Sequence, residues 1–472
     1  MLKNNVLLCV GSTLVWVPGL VSSTSDAPLA LMVAFDGLRY NLLTERTMPF
    51  TYQLAKNGSH AAHGILPQMW TVTAGNFMSI STGLYQESHG VIGNSMYDPV
   101  FNEFFDYYGY GHQPPDAVIS TLDPKWFSGQ PIWQTNEQVM GHKSGCMMWP
   151  MAEIPMNNIN MTHCVHDAPN KDLADWKNNV DKMIRWFVDD DVNLALFYVG
   201  EPDYTEHSYN VDGPEVRATL KQLDTLMMYL VEELKSANLW HRINLILTAD
   251  HGHSNTDIET SYYFLDQDQS IREHIAKNVI ISEHSLFPIN GLTPESLVDL
   301  LQSSDQLGNG GIDIWLKEDT PDEYHYKHNR RIGPVMVLER LGYFATVTKV
   351  PGSKTESSRI RGQHGFSKFY PEMRAVFLAH GPAFKTGFAL NRYQLVENID
   401  IYPMLCHILG LNPAPMNGSL DRIAPMLRDH SNFIKKLDYS LVHGYPMLLV
   451  LIGVVVFVLI RFVFRPHKTK EL

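Results

Sequence analysis

Three aspartates and three histidines stand just beyond apolar runs or in a glycine-bearing loop of this chain. Asp36 follows Leu29–Phe35, Asp203 and His207 follow Leu194–Val199, Asp250 and His251 follow Ile243–Thr248, and His364 lies within Gly362–Phe366. Taken singly, an aspartate is most often a helix cap and a histidine a hydrogen-bonded core or surface residue. Converging from four chain regions, they form a candidate metal centre. Carboxylates and imidazoles without thiolates suit zinc of the catalytic kind, each ion held by about three protein ligands with one position open. Three imidazoles argue against Mg2+. Six such donors can hold two ions about 3.5–4 Å apart, the arrangement that stabilises attacking and leaving oxygens in phosphoryl transfer. A nucleophile is also available: the segment Thr71–Gly83 predicts a helix from Ala74 to Thr82 with Thr73 at its start. There the positive helix end and a metal ion would lower the hydroxyl pKa, the plain alternative being an N-cap.

The elements that must position these residues are legible in outline. Leu29–Phe35, Leu194–Val199, Ile243–Thr248, Val335–Leu338 and Ala375–Ala379 are continuous apolar runs, as expected of strands buried on both faces. Pro214–Lys235 repeats Val216, Leu220, Leu223, Met227, Leu230 and Leu234 at helical spacing, with Pro214 suited to a first turn. Asn398–Leu409 predicts a packed helix ended by Gly410, and Asn102–Asn170 reads as an irregular insertion. Alternating buried strands and helices predict an α/β fold, a mostly parallel sheet flanked by helices, over residues 29–430. In such sheets ligands collect beyond the carboxyl ends of the strands, where the acids and imidazoles stand.

The chain has 472 residues, 44% hydrophobic and 18% charged, which excludes a disordered protein. Its net charge of -13 and the lack of a basic stripe exclude a nucleic acid duplex as partner. No obligate protein partner is evident, and phosphates on a substrate must be met locally by metal ions or a few placed cations. Residues 1–23 run from Lys3 through apolar residues to the small-residue end Gly19–Ser23, the order of a secretory signal peptide. Residues 445–464 predict a C-terminal transmembrane helix with Arg461 snorkelling; a stalk (431–444) precedes it and a basic tail (465–472) follows. The basic flank predicts a single-pass type I protein of the plasma membrane, its catalytic domain extracellular and its lipid bilayer contact made by this helix. Sequons at Asn57, Asn160 and Asn417 suit an exported surface. Of the cysteines left after removal of the leader, Cys146 and Cys164 could pair and leave Cys406 free, a choice that spacing leaves open.

Five motifs, Ala34–Arg39 (AFDGLR), Thr73–Gly90 (TAGNFMSISTGLYQESHG), Glu201–His207 (EPDYTEH), Leu247–Gly252 (LTADHG) and Gly362–Phe366 (GQHGF), resemble in order and spacing the ectonucleotide pyrophosphatase/phosphodiesterase family of the alkaline phosphatase superfamily. The match runs over Leu29–Pro425, and the two termini resemble those of the single-domain type I members four and five. The resemblance implies an alkaline-phosphatase-like sheet and two Zn2+ ions. One ion would be held by Asp36, Thr73, Asp250 and His251, the other by Asp203, His207 and His364. It implies Thr73 as nucleophile, a phosphothreonine intermediate, and Asn76 as the amide that contacts the phosphoryl oxygen. The implied activity is extracellular hydrolysis of nucleotide pyrophosphate and phosphodiester bonds, releasing nucleoside monophosphate.

Around the base-binding side the chain departs from the family. Ala74 stands where the family carries an aromatic residue, and an ungapped reading from Trp149-Pro150 puts His163 at the position of its tyrosine. Val72 replaces a lysine, and Gly75 and Phe77 replace the usual proline and histidine. Ala74 and His163 are therefore the expected substrate-pocket residues, with weakened stacking on a base. Two other readings remain open. A choline-type phosphodiesterase would use Trp149, Tyr204 and Glu206 as a cation cage; a catalytically weak surface protein would use the scaffold for adhesion. A sulfatase would need a cysteine or serine in place of Thr73.

Overall fold

The computed structural model describes residues 27–109, 117–257, 262–264, 275, 277–303, 310–346, 359–391 and 393–428, preceded by the paired two-residue strands Cys9–Val10 and Thr13–Leu14. Apart from that pair, the expected leader, stalk, membrane span and tail lie outside the described residues. Among the described residues no helix is long and apolar enough to cross a membrane. Met1–Met426 is one compact unit.

Its centre is an eight-stranded sheet. In chain order the strands are β1 (Leu29–Phe35), β2 (Ser59–His60), β3 (Ser144–Met147), β4 (His163–Val165), β5 (Leu194–Val199), β6 (Ile243–Thr248), β7 (Phe377–His380) and β8 (Phe388–Ala389). They lie in the order β8-β2-β7-β6-β1-β5-β3-β4. From β6 to β4 every pairing is parallel, whereas β7 runs antiparallel to both β6 and β2. Every residue of β1, β5 and β6 is buried, which is why their sequences are unbroken apolar runs rather than alternating ones.

Helices form two packed sets. In one, α1 (Pro49–Asn57), α3 (Leu173–Asp189) and α4 (Pro214–Ser236) lean on one another, and the predicted stripe from Val216 to Leu234 is buried on α4. Asp224 of α4 caps α1 by accepting hydrogen bonds from the Phe50 and Thr51 amides at 3.1 and 2.7 Å. In the other, α2 (Thr73–Thr82) packs against α5 (Ile401–Leu409), which Gly410 ends in the left-handed conformation at φ 68°. The two sets cover a sheet whose central strands are buried on both sides.

Three expectations change. The Val335 run, extended to Glu339, is not in the main sheet: it pairs antiparallel with Ser285–Pro288 and Ile312–Leu316 in a separate four-stranded sheet. That sheet has its own core, including Leu286, Leu297, Leu301 and Val335. The Ala375 run enters the main sheet only from Phe377, and antiparallel. The stretch Asn102–Asn170 is no mere insertion, because it supplies β3 and the edge strand β4. There Cys146 and Cys164 are register neighbours, and both are free thiols, as is Cys406.

The loop beyond α2 is tied down by a buried ion-pair network. Asp98, 0% exposed, accepts from Arg330 and Arg331, each at 2.8 Å, while Arg331 also donates to the Gly90 and Trp126 carbonyls at 2.7 and 2.6 Å. Burial alone would raise the Asp98 pKa, but hydrogen bonds from the two arginines and the Val100 and Phe101 amides hold it at about 2. Since the folded value lies below the ordinary one, the stabilisation is present above about pH 4 and is lost as pH falls toward the folded value. Asp98→Ala leaves Arg331 buried and short of a partner, and should cost about 3–5 kcal/mol at neutral pH. Urea midpoints measured across the acid range check both points: the variant should show less loss than the wild type as pH falls through that window.

Candidate active site and metal centre

β1 lies between β5 and β6, so their carboxyl ends are neighbours about 4.8 Å apart. Asp36 leaves the end of β1, Asp203 and His207 come from the turn after β5, and Asp250 and His251 directly follow β6. The Asp36 amide donates to the Val199 carbonyl at 2.9 Å and the Asp203 amide to the Asp36 carbonyl at 3.1 Å, locking the β1 and β5 ends together. Gly37 turns the chain at φ +70°, and a Cβ there would lie 2.6 Å from the His253 ring and 3.2 Å from the Asp203 Cβ. His364 arrives from the other direction, just after Ile360–Gln363, which pairs with Ser254–Asp257.

The donors fall into two groups, Asp36, Asp250 and His251 in one, Asp203, His207, His253 and His364 in the other. Within each group the donor atoms lie within 4.8 Å of one another. All six residues read from the sequence as metal ligands are thus brought together, divided as expected. Three are oriented from behind: Tyr198 donates to Asp36 Oδ2 at 2.6 Å, the Gly37 amide to Asp250 Oδ1 at 3.1 Å, and His364 Nδ1 to the Thr71 carbonyl at 2.9 Å. This leaves His364 Nε2 facing the group.

Thr73 is the first residue of α2 and 1% exposed, and its Oγ1 lies 3.5 Å from His251 Nε2. The capping position belongs to Val72, so the threonine is not an N-cap and its hydroxyl faces the donor groups. The phenol of Tyr108 also hydrogen-bonds Thr73, and burial pushes the pKa of that phenol well up. Gly75 is needed one turn into the helix, where a Cβ would meet the Gln86 amide at 2.5 Å.

Electrostatics explain what the site lacks. Burial, then the Asp250 and Asp203 charges, drive the Asp36 pKa well up; burial, with Asp203 adding to it, takes Asp250 to about 7. Asp203 goes well below its ordinary value despite burial because His207 and His253 face it. Burial holds His251 at about 3, so it stays neutral with Nε2 able to donate a lone pair. Asp36 Oδ1, Asp203 Oδ1 and Asp250 Oδ2 are buried without a hydrogen-bond partner. Buried carboxylate oxygens of this kind, aimed at one another, fit bound cations, and with imidazole neighbours they fit zinc.

Other expected site residues are placed differently. Asn76 is 0% exposed, and its amide group donates to the Trp70 and Val72 carbonyls at 2.8 and 3.0 Å while its Oδ1 accepts from the Gln68 amide and Asn398 at 2.7 and 2.8 Å. With both ends engaged, it braces the loop before α2 and faces no substrate. Asn94 is the amide beside Thr73: its Oδ1 accepts from the Ala74 backbone N–H at 2.8 Å. Ala74 is fully buried, and His163 stacks on Trp186 with ring centroids 4.9 Å apart and pairs with Asp190 at 3.1 Å, on the outermost strand β4. The two do not face each other across a pocket. Tyr108 brings its phenol to Thr73 instead, and Tyr107 packs against Tyr108 with ring centroids 4.8 Å apart. The cation cage does not assemble, because Trp149 is packed edge-on against Phe77 in the core, Glu206 is fully buried, and Tyr204 is 53% exposed.

One residue, His253, is not singled out in sequence, and its neighbour Glu206 enters there only as part of a cation cage. His253 and Glu206 are both 0% exposed and their side chains lie 2.7 Å apart. Burial opposes a charge on His253, yet Glu206 and Asp203 outweigh it and take its pKa up to about 10 in the protein alone. The signal was present: His253 stands two residues after His251, and Glu206 precedes His207.

Residues 30–367 match the family described as Type I phosphodiesterase / nucleotide pyrophosphatase. The chain belongs to the ectonucleotide pyrophosphatase/phosphodiesterase family. It shares 32% identity over 412 residues with mouse bis(5'-adenosyl)-triphosphatase enpp4, covering 86% of this chain and 83% of that one. With human ectonucleotide pyrophosphatase/phosphodiesterase family member 5 it shares 30% over 406 residues, 85% of this chain and 78% of that one. The solved structure of the murine member 5 superposes with a TM-score of 0.73 at 30% identity, covering 84% of this chain and 100% of that one. As a member of this alkaline-phosphatase-like family the chain is a metal-dependent hydrolase, a nucleotide pyrophosphatase/phosphodiesterase.

Tyr198→Phe removes the donor that orients Asp36 without changing the volume of the core. Metal affinity should fall by about 10–100-fold with the fold retained. Competition with a chromophoric chelator measures it; unchanged affinity would show that Asp36 is oriented by something else.

Proposed function

We propose that this chain is an extracellular, two-zinc enzyme that cuts nucleotide pyrophosphate and phosphodiester bonds through a phosphothreonine on Thr73 and releases nucleoside monophosphate. The observation that carries this is the Thr73 hydroxyl, buried at the head of α2 and 3.5 Å from His251 in the first of two donor groups. The names of relatives support it. One is a bis(5'-adenosyl)-triphosphatase, and an inactive threonine-to-alanine variant of murine member 5 was solved in complex with AMP, with a TM-score of 0.72 to this chain.

In this reading Asp36, Asp250, His251 and Thr73 hold one zinc, and Asp203, His207 and His364 the other. When bound, the ions act as Lewis acids that lower the Thr73 hydroxyl pKa and offset charge on the phosphoryl oxygens. Thr73 Oγ1 then bonds to phosphorus as the bond to the leaving phosphate or alcohol breaks in line. Asn94, tethered by the Ala74 amide, presents its side-chain amide to an equatorial oxygen, and the positive end of α2 adds to the same field. Water splits the phosphothreonine in a second displacement, returning the proton to Thr73 Oγ1 and freeing the monophosphate. The aromatic surface facing a base is that of Tyr107 and Tyr108 rather than Ala74 and His163.

The setting is proposed from the ends of the chain. Residues 1–23 direct export, residues 445–464 anchor the protein in the plasma membrane, and residues 465–472 remain in the cytoplasm. Asn57, Asn160 and Asn417 are exposed, as glycan acceptors must be.

Two experiments test the chemistry. Thr73→Ala, assayed on diadenosine triphosphate and a nitrophenyl nucleotide diester, should lose turnover by orders of magnitude while keeping its metal; unchanged kcat would exclude Thr73 as nucleophile. Asn94→Ala should lower kcat by about 10²–10³ with the melting temperature intact. Asn76→Ala should instead destabilise the protein through the unsatisfied loop carbonyls, by about 1–3 kcal/mol for a buried orphan. A reversed pattern would return the phosphoryl contact to Asn76.

A further inference from the structure

His253 and Glu206 have no part in the two-zinc reading above, yet they lie against its second donor group. Four separations among the donor atoms of that group are short. Asp203 Oδ1 is 3.1 Å from His253 Nε2, 3.3 Å from His207 Nε2 and 3.6 Å from His364 Nε2, and the last two nitrogens are 3.1 Å apart. Zinc–nitrogen bonds of about 2.0–2.1 Å in a tetrahedron require ligand atoms about 3.3 Å apart. The four separations scatter about that edge length.

Direction agrees with distance. His253 Nε2 is buried 3.1 Å from Asp203 Oδ1, and the contact lacks the geometry of a full hydrogen bond. Asp203 Oδ1 is equally without a hydrogen-bond partner. On the far side of the ring, Nδ1 is 2.7 Å from Glu206 Oε2, in a carboxylate that is 0% exposed. Nδ1 also lies 3.5 Å from the Gly37 carbonyl, so its neighbours are oxygens on both sides; a proton belongs there and the other nitrogen is left as the ligand, the usual arrangement behind a metal-bound histidine. Gly37 makes the approach possible, since a Cβ there would lie 2.7 Å from His253 Nδ1. Four buried carboxylates, Asp36, Asp203, Glu206 and Asp250, then face two divalent ions, whose formal charge balances theirs.

We propose that His253 is a fourth protein ligand of the ion held by Asp203, His207 and His364, with Glu206 as the residue that positions its ring. This rests on the two-zinc reading and deepens it, because it makes the halves of the centre unequal. The second ion would have four protein side chains as donors, whereas Asp36, Asp250 and His251 supply three to the first and leave a position for Thr73.

The test is zinc binding by the full-length protein in detergent, titrated against a chromophoric chelator, together with a crystal structure of the zinc-loaded wild type. His253→Gln should weaken one of the two ions by at least about 10-fold and leave the other unchanged, and Glu206→Gln should weaken the same ion by about 10–100-fold, as loss of an orienting carboxylate does. The crystal should place His253 Nε2 at about 2.0–2.1 Å from zinc. Wild-type affinity for both ions in His253→Gln, equal weakening of both, or a nitrogen beyond about 3 Å from zinc would overturn the assignment. If His253→Gln does not fold, Glu206→Gln and the crystal decide. A wild type that binds no zinc would overturn the two-zinc reading itself; two tight ions in a wild type matched by His253→Gln would overturn only the role of His253.

Discussion

Carboxylates buried within a few ångströms of one another repel strongly where the local dielectric is low, and the centre of this protein is built around four of them. Asp36, Asp203, Glu206 and Asp250 are each no more than 3% exposed, and five of their eight oxygens have no hydrogen-bond partner. In the protein alone the repulsion appears as raised pKa values for Asp36 and Asp250. Imidazoles relieve part of it, as the lowered Asp203 value shows. Divalent cations relieve the rest, and a site that needs cations in order to be charged is one that will bind them.

The remainder of the fold can be understood as the means of holding that arrangement. Adjacency of β5, β1 and β6 in a parallel sheet brings three strand ends to one place, and complete burial of those strands keeps the ends from shifting. Gly37 clears room at the tightest point, and Tyr198 and the Thr71 carbonyl fix two ligands from behind. Thr73, the proposed nucleophile, comes from outside the sheet, on α2, whose preceding loop is braced by Asn76, Gln68 and Asn398. Ligands on the sheet and nucleophile on a helix head are rigid elements of different kinds, joined by a polar network whose groups are fully paired.

Away from the metal groups the site is more individual. Ala74, following Thr73, is buried, and the ring beside Thr73 is that of Tyr108, with Tyr107 packed against it. Phosphoryl recognition and base recognition therefore rest on separate parts of the chain. The former depends on strand ends that tolerate little change, the latter on a loop segment free to vary without disturbing the metal groups.

By itself the sequence determined the central strands, the long helix α4 and the acids and imidazoles that stand at the strand ends, while their division into two groups and the choice of Thr73 came from the family resemblance. The former follow from local facts: an unbroken apolar run must be buried on both faces, and an acid directly after such a run must stand at a strand end. Tertiary structure alone decided which strands share a sheet. The Val335 run has the same apolar character as Ile243–Thr248, yet it belongs to another sheet, because periodicity reports burial and not the partner. The same holds for amides and imidazoles. Asn76 and Asn94 are chemically identical, and only the hydrogen bonds each makes show that one braces a loop while the other flanks the nucleophile. His163 became a stacking partner of Trp186, and His253 a neighbour of Asp203, for the same reason. A side chain's type limits what it can do, but what it does is set by the few atoms that folding brings within about 3 Å of it, the reach of a hydrogen bond.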